Sequence, residues 1–144
     1  MTESKAGRTP AAQAERLRMA SFGALTMLIL QFALGTAYNL YGTAPAAGKS
    51  IGMFSSPLLA FHVILGILII IAAGALVFRA AQAKARTILI TSIVALVAVL
   101  GAAGAGSAFT SAGNDGASLG MALATAVAML CYAANLVILG KPRG

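Results

Sequence analysis

An all-α, polytopic membrane fold of four transmembrane helices is what this sequence predicts, and three observations predict it. The chain is 60% hydrophobic and only 9% charged, with a mean hydropathy of +0.93, whereas a soluble domain carries roughly a quarter charged residues. Its apolar residues fall into four runs, each near the ~20 residues that a ~30 Å hydrocarbon core needs at 1.5 Å per residue. Its charges sit between and outside those runs. Four spans with short connections use nearly all of the 144 residues, which leaves no room for a separate soluble domain.

Residues 1 to 10, MTESKAGRTP, are polar with Gly and Pro and offer nothing to bury, so a disordered tail is expected. Ala11 to Arg18, AAQAERLR, combines helix formers with Glu/Arg spacing and reads either as a helix on the membrane surface or as a solvated extension. The first span runs from Met19 to about Tyr38. A signal peptide competes for it, since Gly35-Thr36-Ala37 resembles a weak cleavage site, but the run is long for one and three more spans follow. Asn39 to Ser56, with Pro45 and three glycines, is a loop. Ser55-Ser56-Pro57 then starts the second span, Pro57 to Phe78, with a hydroxyl cap and a first-turn proline.

Arg79 to Arg86, RAAQAKAR, is a short basic connection that makes the second and third spans antiparallel neighbours. The third span, Thr87 to about Gly106, opens β-branched and ends in GAAGAG. Ser107 to Ser118 is a Gly/Asn/Asp loop whose Ser118 is the expected cap of the fourth span, Leu119 to Leu139. Residues 140–144 form a short tail.

The +7 formal charge sets topology. Lys5, Arg8, Arg16, Arg18, Arg79, Lys84, Arg86, Lys141 and Arg143 fall on one side of the four spans and Lys49 alone on the other, so both termini and the 79–86 connection are expected in the cytoplasm. Tyr38, Tyr41, Phe54 and Phe109 then gather at the outer interface. The basic residues form no continuous face, so the lipid bilayer rather than nucleic acid is the expected partner. Cys131, the one cysteine, has no disulfide partner within the chain and reads as a small packing residue.

His62, the only histidine, comes five residues after Pro57, about one and a half turns below the outer end of the second helix. Positions 62, 66, 70, 73, 74 and 77 share a face, so Gly66 and Gly74 continue a smooth groove beneath the imidazole. Two readings compete. The glycines admit another helix and His62 is satisfied by a neighbour, or His62 ligates a haem iron with the macrocycle lying on the glycines. The second axial ligand would be Met121 or a histidine of another chain.

The fourth helix carries a stripe of Met121, Thr125, Ala128, Tyr132 and Asn135, which should face inward. Gln31 of the first helix is the expected crossing partner of its polar members. The stripe serves as bundle glue or lines a small polar path. The acids, Glu3, Glu15 and Asp115, all lie outside the spans, so no intramembrane carboxylate is there to carry a proton, bind a cation or help hold a metal. His62 and Asp115 could meet at the outer surface, but Asn114-Asp115-Gly116 reads first as a turn.

The stretches QFALGTAYNLYG, FHVILG and NDGASLGMALA together resemble a family of small four-helix bacterial membrane proteins to which no activity is assigned. The resemblance covers residues 19 to 139 and implies fold and location in a bacterial cytoplasmic (inner) membrane. FHVILG is also similar to haem-binding helices of cytochrome b-type bundles and of haem A synthase halves, which implies haem b on His62 and Gly66. Three expectations follow. The first is a non-enzymatic subunit or scaffold, associating as a homo-oligomer or in a larger membrane complex through Gly101/Gly104 and Ala122/Ala126. The second is a haem-b electron carrier using His62, and the third a small channel or facilitator using Gln31, Thr125, Tyr132 and Asn135.

Overall fold

The computed structural model describes residues 9–43 and 45–141, apart from the side chain of Asp115. Four helices make up the chain: α1 Pro10–Tyr41, α2 Pro57–Gln82, α3 Arg86–Ala112 and α4 Asp115–Gly140. Each is long and apolar enough to cross a membrane. Lys5, Arg8 and Arg143, part of the charge asymmetry, lie outside the described residues.

The helices run longer than their apolar cores. The Ala12 N–H donates to the Thr9 hydroxyl at 3.3 Å with Pro10 in the first turn, and α1 then continues without a break through Ala11–Arg18 into the span. No separate surface helix forms, because the helix formers of AAQAERLR adjoin the apolar run with no Gly or Pro between them. At the start of α2 the Leu59 N–H donates to Ser56 Oγ at 3.2 Å, with Pro57 in the first turn. Because RAAQAKAR is itself helix-forming, the connection to α3 shrinks to Ala83–Ala85, reversed through Lys84 at φ 52°.

The GAAGAG segment does not stop α3. The helix ends instead at Gly113, whose φ of 61° closes a left-handed cap with its N–H returning to the Phe109 carbonyl. Asn114, not Ser118, occupies the N-cap position of α4. Ser118 lies one turn inside, where its hydroxyl accepts from Asn39 Nδ2 at 2.9 Å and ties α4 to α1.

The helices form a ring in chain order, α1 against α2 and α4, and α3 against α2 and α4. A step of three and four residues explains the packing, because it keeps one seam facing the bundle axis. On α1 the seam is Leu17, Ser21, Ala24, Leu28, Gln31, Gly35 and Tyr38. On α2 it is Leu59, His62, Gly66, Ile69, Ala73, Leu76 and Ala80. On α3 it is Ile88, Ser92, Ala95, Val99, Ala102, Gly106 and Phe109. All of these are buried or half-buried. The outward faces carry Phe22, Ile71, Phe78, Val97 and Leu130, each more than half exposed, as lipid contact requires.

The two halves of the bundle differ. Toward the α2–α3 connection the seam is filled by Leu28, Ile69, Leu76, Ala95, Ala128 and Tyr132. At the opposite end the α1–α2 loop docks on α3, with Gly48 N–H to Ala112 O and Ile51 N–H to Thr110 O, both 2.9 Å. There Tyr38, Leu59 and Phe109 form a second, smaller core. Tyr38 and Phe109 are therefore core residues rather than members of an interfacial belt. The Tyr38 hydroxyl donates to the Thr43 carbonyl at 3.0 Å, while Tyr41 and Phe54 stay exposed.

Candidate functional site: a cavity beside the Gln31–His62 pair

Between the two cores the seam positions are, but for Met121, small or polar: Gln31 and Gly35 on α1, His62 and Gly66 on α2, Ala102 and Gly106 on α3, Met121 and Thr125 on α4. These side chains cannot fill the axis of a four-helix ring, and a cavity of about 320 Å³ results. Its lining is mostly apolar and includes no Lys, Arg, Asp or Glu. Phe32, Thr36 and Asn39 of α1, Met53 of the α1–α2 loop, Ile67 of α2 and Ala103 and Ser107 of α3 line it and are also exposed, so it is not sealed from the surface of the bundle.

One wall carries a reciprocal pair. Gln31 Nε2 and His62 Nε2 lie 3.1 Å apart. Each side chain lies in the hollow of a glycine on the other helix. A methyl built on Gly35 would come within 3.0 Å of His62 Cε1, and one built on Gly66 within 3.1 Å of Gln31 Nε2. In the orientation seen, the amide donates to a neutral imidazole whose proton then sits on Nδ1. Gln31 Oε1 and His62 Nδ1 are buried and have no hydrogen-bond partner among the described residues. Each unmet buried group costs about 1–3 kcal/mol, and both atoms are closed even to water as the side chains now lie.

The expected crossing of Gln31 with α4 does not occur, because His62 takes the amide instead. The α4 stripe divides. Met121 and Thr125 line the cavity. Met121 Sδ lies 3.3 Å from a methyl built on Gly106, and the Thr125 hydroxyl donates to the Met121 carbonyl at 2.8 Å. Asn135 turns to α3, where Thr91 Oγ1 donates to its Oδ1 and its Nδ2 donates to Ser92 Oγ at 3.4 Å. Tyr132 is wholly buried, and its hydroxyl has no hydrogen-bond partner among the described residues. Neither Tyr132 nor Asn135 lines the cavity, so the stripe does not form a continuous polar path.

Gly74 plays no part in the pair: nothing lies within 4 Å of a methyl built there. Gly35, Ala102 and Gly106 belong to the site and were not singled out from the sequence. Their signal is the three-and-four spacing in α1 and α3, the same as in α4.

Haem b does not fit these residues. The Nε2 of His62 is held by an amide, its ring edge abuts Gly35, and no cation lines the space to meet propionates. The volume is at the small end of ligand pockets, roughly 300–1,000 Å³. Among the described residues no three His, Cys, Asp or Glu side chains gather for a metal. The approach of His62 to Asp115 lies outside the described residues. No family model matches the chain, and neither a curated protein nor a solved structure is found similar to it.

Proposed function

We propose that this is a multi-pass protein of a bacterial cytoplasmic membrane, with antiparallel helices and both termini cytoplasmic, that binds a small lipid-soluble molecule in the cavity without chemically altering it. Connections of three residues (83–85) and two residues (113–114) support the antiparallel arrangement. The excess of Lys and Arg around the termini and the α2–α3 connection supports the orientation.

The observation that supports the binding reading is the hollow seam itself, mostly apolar, with Gln31, His62 and the hydroxyls of Thr110, Ser118 and Thr125 in its wall. A ligand would meet Gln31 Oε1 or His62 Nδ1 after a small shift of those buried side chains. An apolar pocket with a few convergent polar groups is the usual form of a small-molecule site. The space is about twice the ~150 Å³ cavity that takes benzene. It therefore suits a molecule of one or two rings carrying one hydroxyl or carbonyl. An imidazole bonded to an amide, with no nucleophile hydrogen-bonded to it, suits holding better than reacting.

The test uses radiolabelled 1-naphthol and protein in nanodiscs. Saturable binding above that of empty nanodiscs is expected, lost in Ala102→Phe, which fills the cavity from α3, and weakened roughly tenfold in His62→Phe, the loss of one or two hydrogen bonds. Partitioning no greater than into empty nanodiscs would overturn the reading.

Lateral association through α3 is a second reading. Nothing lies within 4 Å of a methyl built on Gly101 or Gly104, so a partner helix in a homo-oligomer or larger complex could seat closely there. A conducting path receives no support, because the axis beyond the cavity closes on Ile69, Leu76, Ala95 and Ala128, all 0–2% exposed.

A further inference from the structure

At the end of the bundle away from the cavity, Arg16 of α1 and Arg79 in the last turn of α2 line one cleft, together with Glu15, Ala12, Met19 and Ala20. Among the described residues the one ion pair is Glu15 with Arg18, at 3.8 Å. Glu15 borders the cleft, but its ion pair is with Arg18, and among the described residues neither Arg16 nor Arg79 makes an ion pair, which leaves the cleft with a net positive charge. Two like charges from neighbouring helices facing one space favour an anion between them. Guanidinium groups bind phosphate oxygens in fixed bidentate geometry.

The neighbouring surface is apolar. Met19, Phe22 and Phe78 are each more than half exposed and lie on the span side of the arginines on the same two helices. An inorganic anion would have no use for that surface. A phospholipid would meet both parts at once, its phosphodiester between the arginines and its acyl chains along Met19, Phe22 and Phe78. We propose that Arg16 and Arg79 form a site for one anionic phospholipid at the boundary between headgroups and acyl chains. The site rests on the helices lying in a bilayer and is independent of the cavity and its ligand.

The experiment is native mass spectrometry of the full chain released from nanodiscs of equal parts phosphatidylglycerol and phosphatidylcholine. One phosphatidylglycerol should be retained in preference to phosphatidylcholine. Arg16→Gln and Arg79→Gln should each reduce its retention roughly fivefold, the loss expected for one basic contact to an anionic lipid. Lys84→Gln and Arg86→Gln remove the same charge at the same end of the bundle and should leave retention unchanged. Circular dichroism checks that each variant keeps its helices, and changes at exposed basic residues are not expected to disturb them.

Equal losses in all four variants would overturn the site in favour of diffuse attraction. Inorganic phosphate displacing no lipid, while the two cleft variants alone lose lipid, supports it. Binding of inorganic phosphate that depends on Arg16 and Arg79, with no phosphatidylglycerol enrichment, would overturn it as a lipid site.

Discussion

A methyl group built on Gly35 would sit 3.0 Å from His62 Cε1, tighter than most real side-chain contacts, so the glycine on α1 is what lets the imidazole edge of α2 come this close to the helix. Gly66 does the same for the Gln31 amide at 3.1 Å. The two contacts differ in what can give way. The imidazole is a rigid ring fixed through Nε2, whereas the amide is the far end of a flexible chain. Gly35→Ala should therefore destabilise the protein by about 1–3 kcal/mol, as overpacking does. Gly66→Ala should cost less than about 1 kcal/mol, being partly offset by helix propensity. Thermal unfolding in detergent checks the ranking, and equal losses would show that the ring is not fixed.

Asn135 has no water-accessible surface and bonds to Thr91 and Ser92 of the neighbouring helix. Asn135→Leu should cost about 0.6–1.7 kcal/mol, the range measured for hydrogen bonds between membrane helices. It should leave naphthol binding unchanged, because Asn135 is outside the cavity. A loss of binding with no loss of stability would place Asn135 on the ligand path instead.

Gly113 combines a left-handed φ of 61° with a close approach to the α1–α2 loop, where a methyl group would lie 2.6 Å from the Ala46 carbonyl oxygen. Gly113→Ala should cost about 1–2 kcal/mol from the backbone alone and more from the displaced loop. Hydrogen exchange of the Gly48 and Ile51 amides, which bond to Ala112 and Thr110, should rise in the variant. Unchanged protection at both would contradict the docking role.

Gly101 and Gly104 decide between a lone bundle and lateral association. If the α3 face meets lipid only, Gly101→Leu with Gly104→Leu should leave the mass of the detergent-solubilised particle unchanged and raise stability slightly through helix propensity. If a partner helix seats there, the same change should dissociate it. Sedimentation of the two proteins side by side reads the difference.

The spans were legible in the sequence because hydropathy and length are one-body properties of a segment. The helix ends were less so. Ala11–Arg18 and the RAAQAKAR segment are polar enough to look like tails yet form helix well, and an apolar count cannot see the difference. Ser118 looked like a cap because it precedes an apolar run, but Gly113-Asn114 already made the turn. The α4 stripe and the His62 face were readable from spacing. Spacing places Gln31 on the axis but does not reveal that it meets His62 rather than α4, because periodicity tells which residues face the axis and not which neighbour they meet. The cavity was not legible at all from one helix. It exists because mostly small or polar seam residues on four helices share one level, a property of the ring that no single span displays.

His62 is the only histidine in the chain, so an imidazole ¹⁵N spectrum of labelled protein reports one site without assignment. Titrating the nanodisc-embedded protein with 1-naphthol while recording that spectrum tests most directly whether the Gln31–His62 pair serves a ligand. The prediction is a saturable shift of the Nδ1 resonance, absent in Ala102→Phe and absent with naphthalene, which has the rings but no hydroxyl. An imidazole spectrum that stays unchanged at naphthol concentrations that saturate the protein would contradict it.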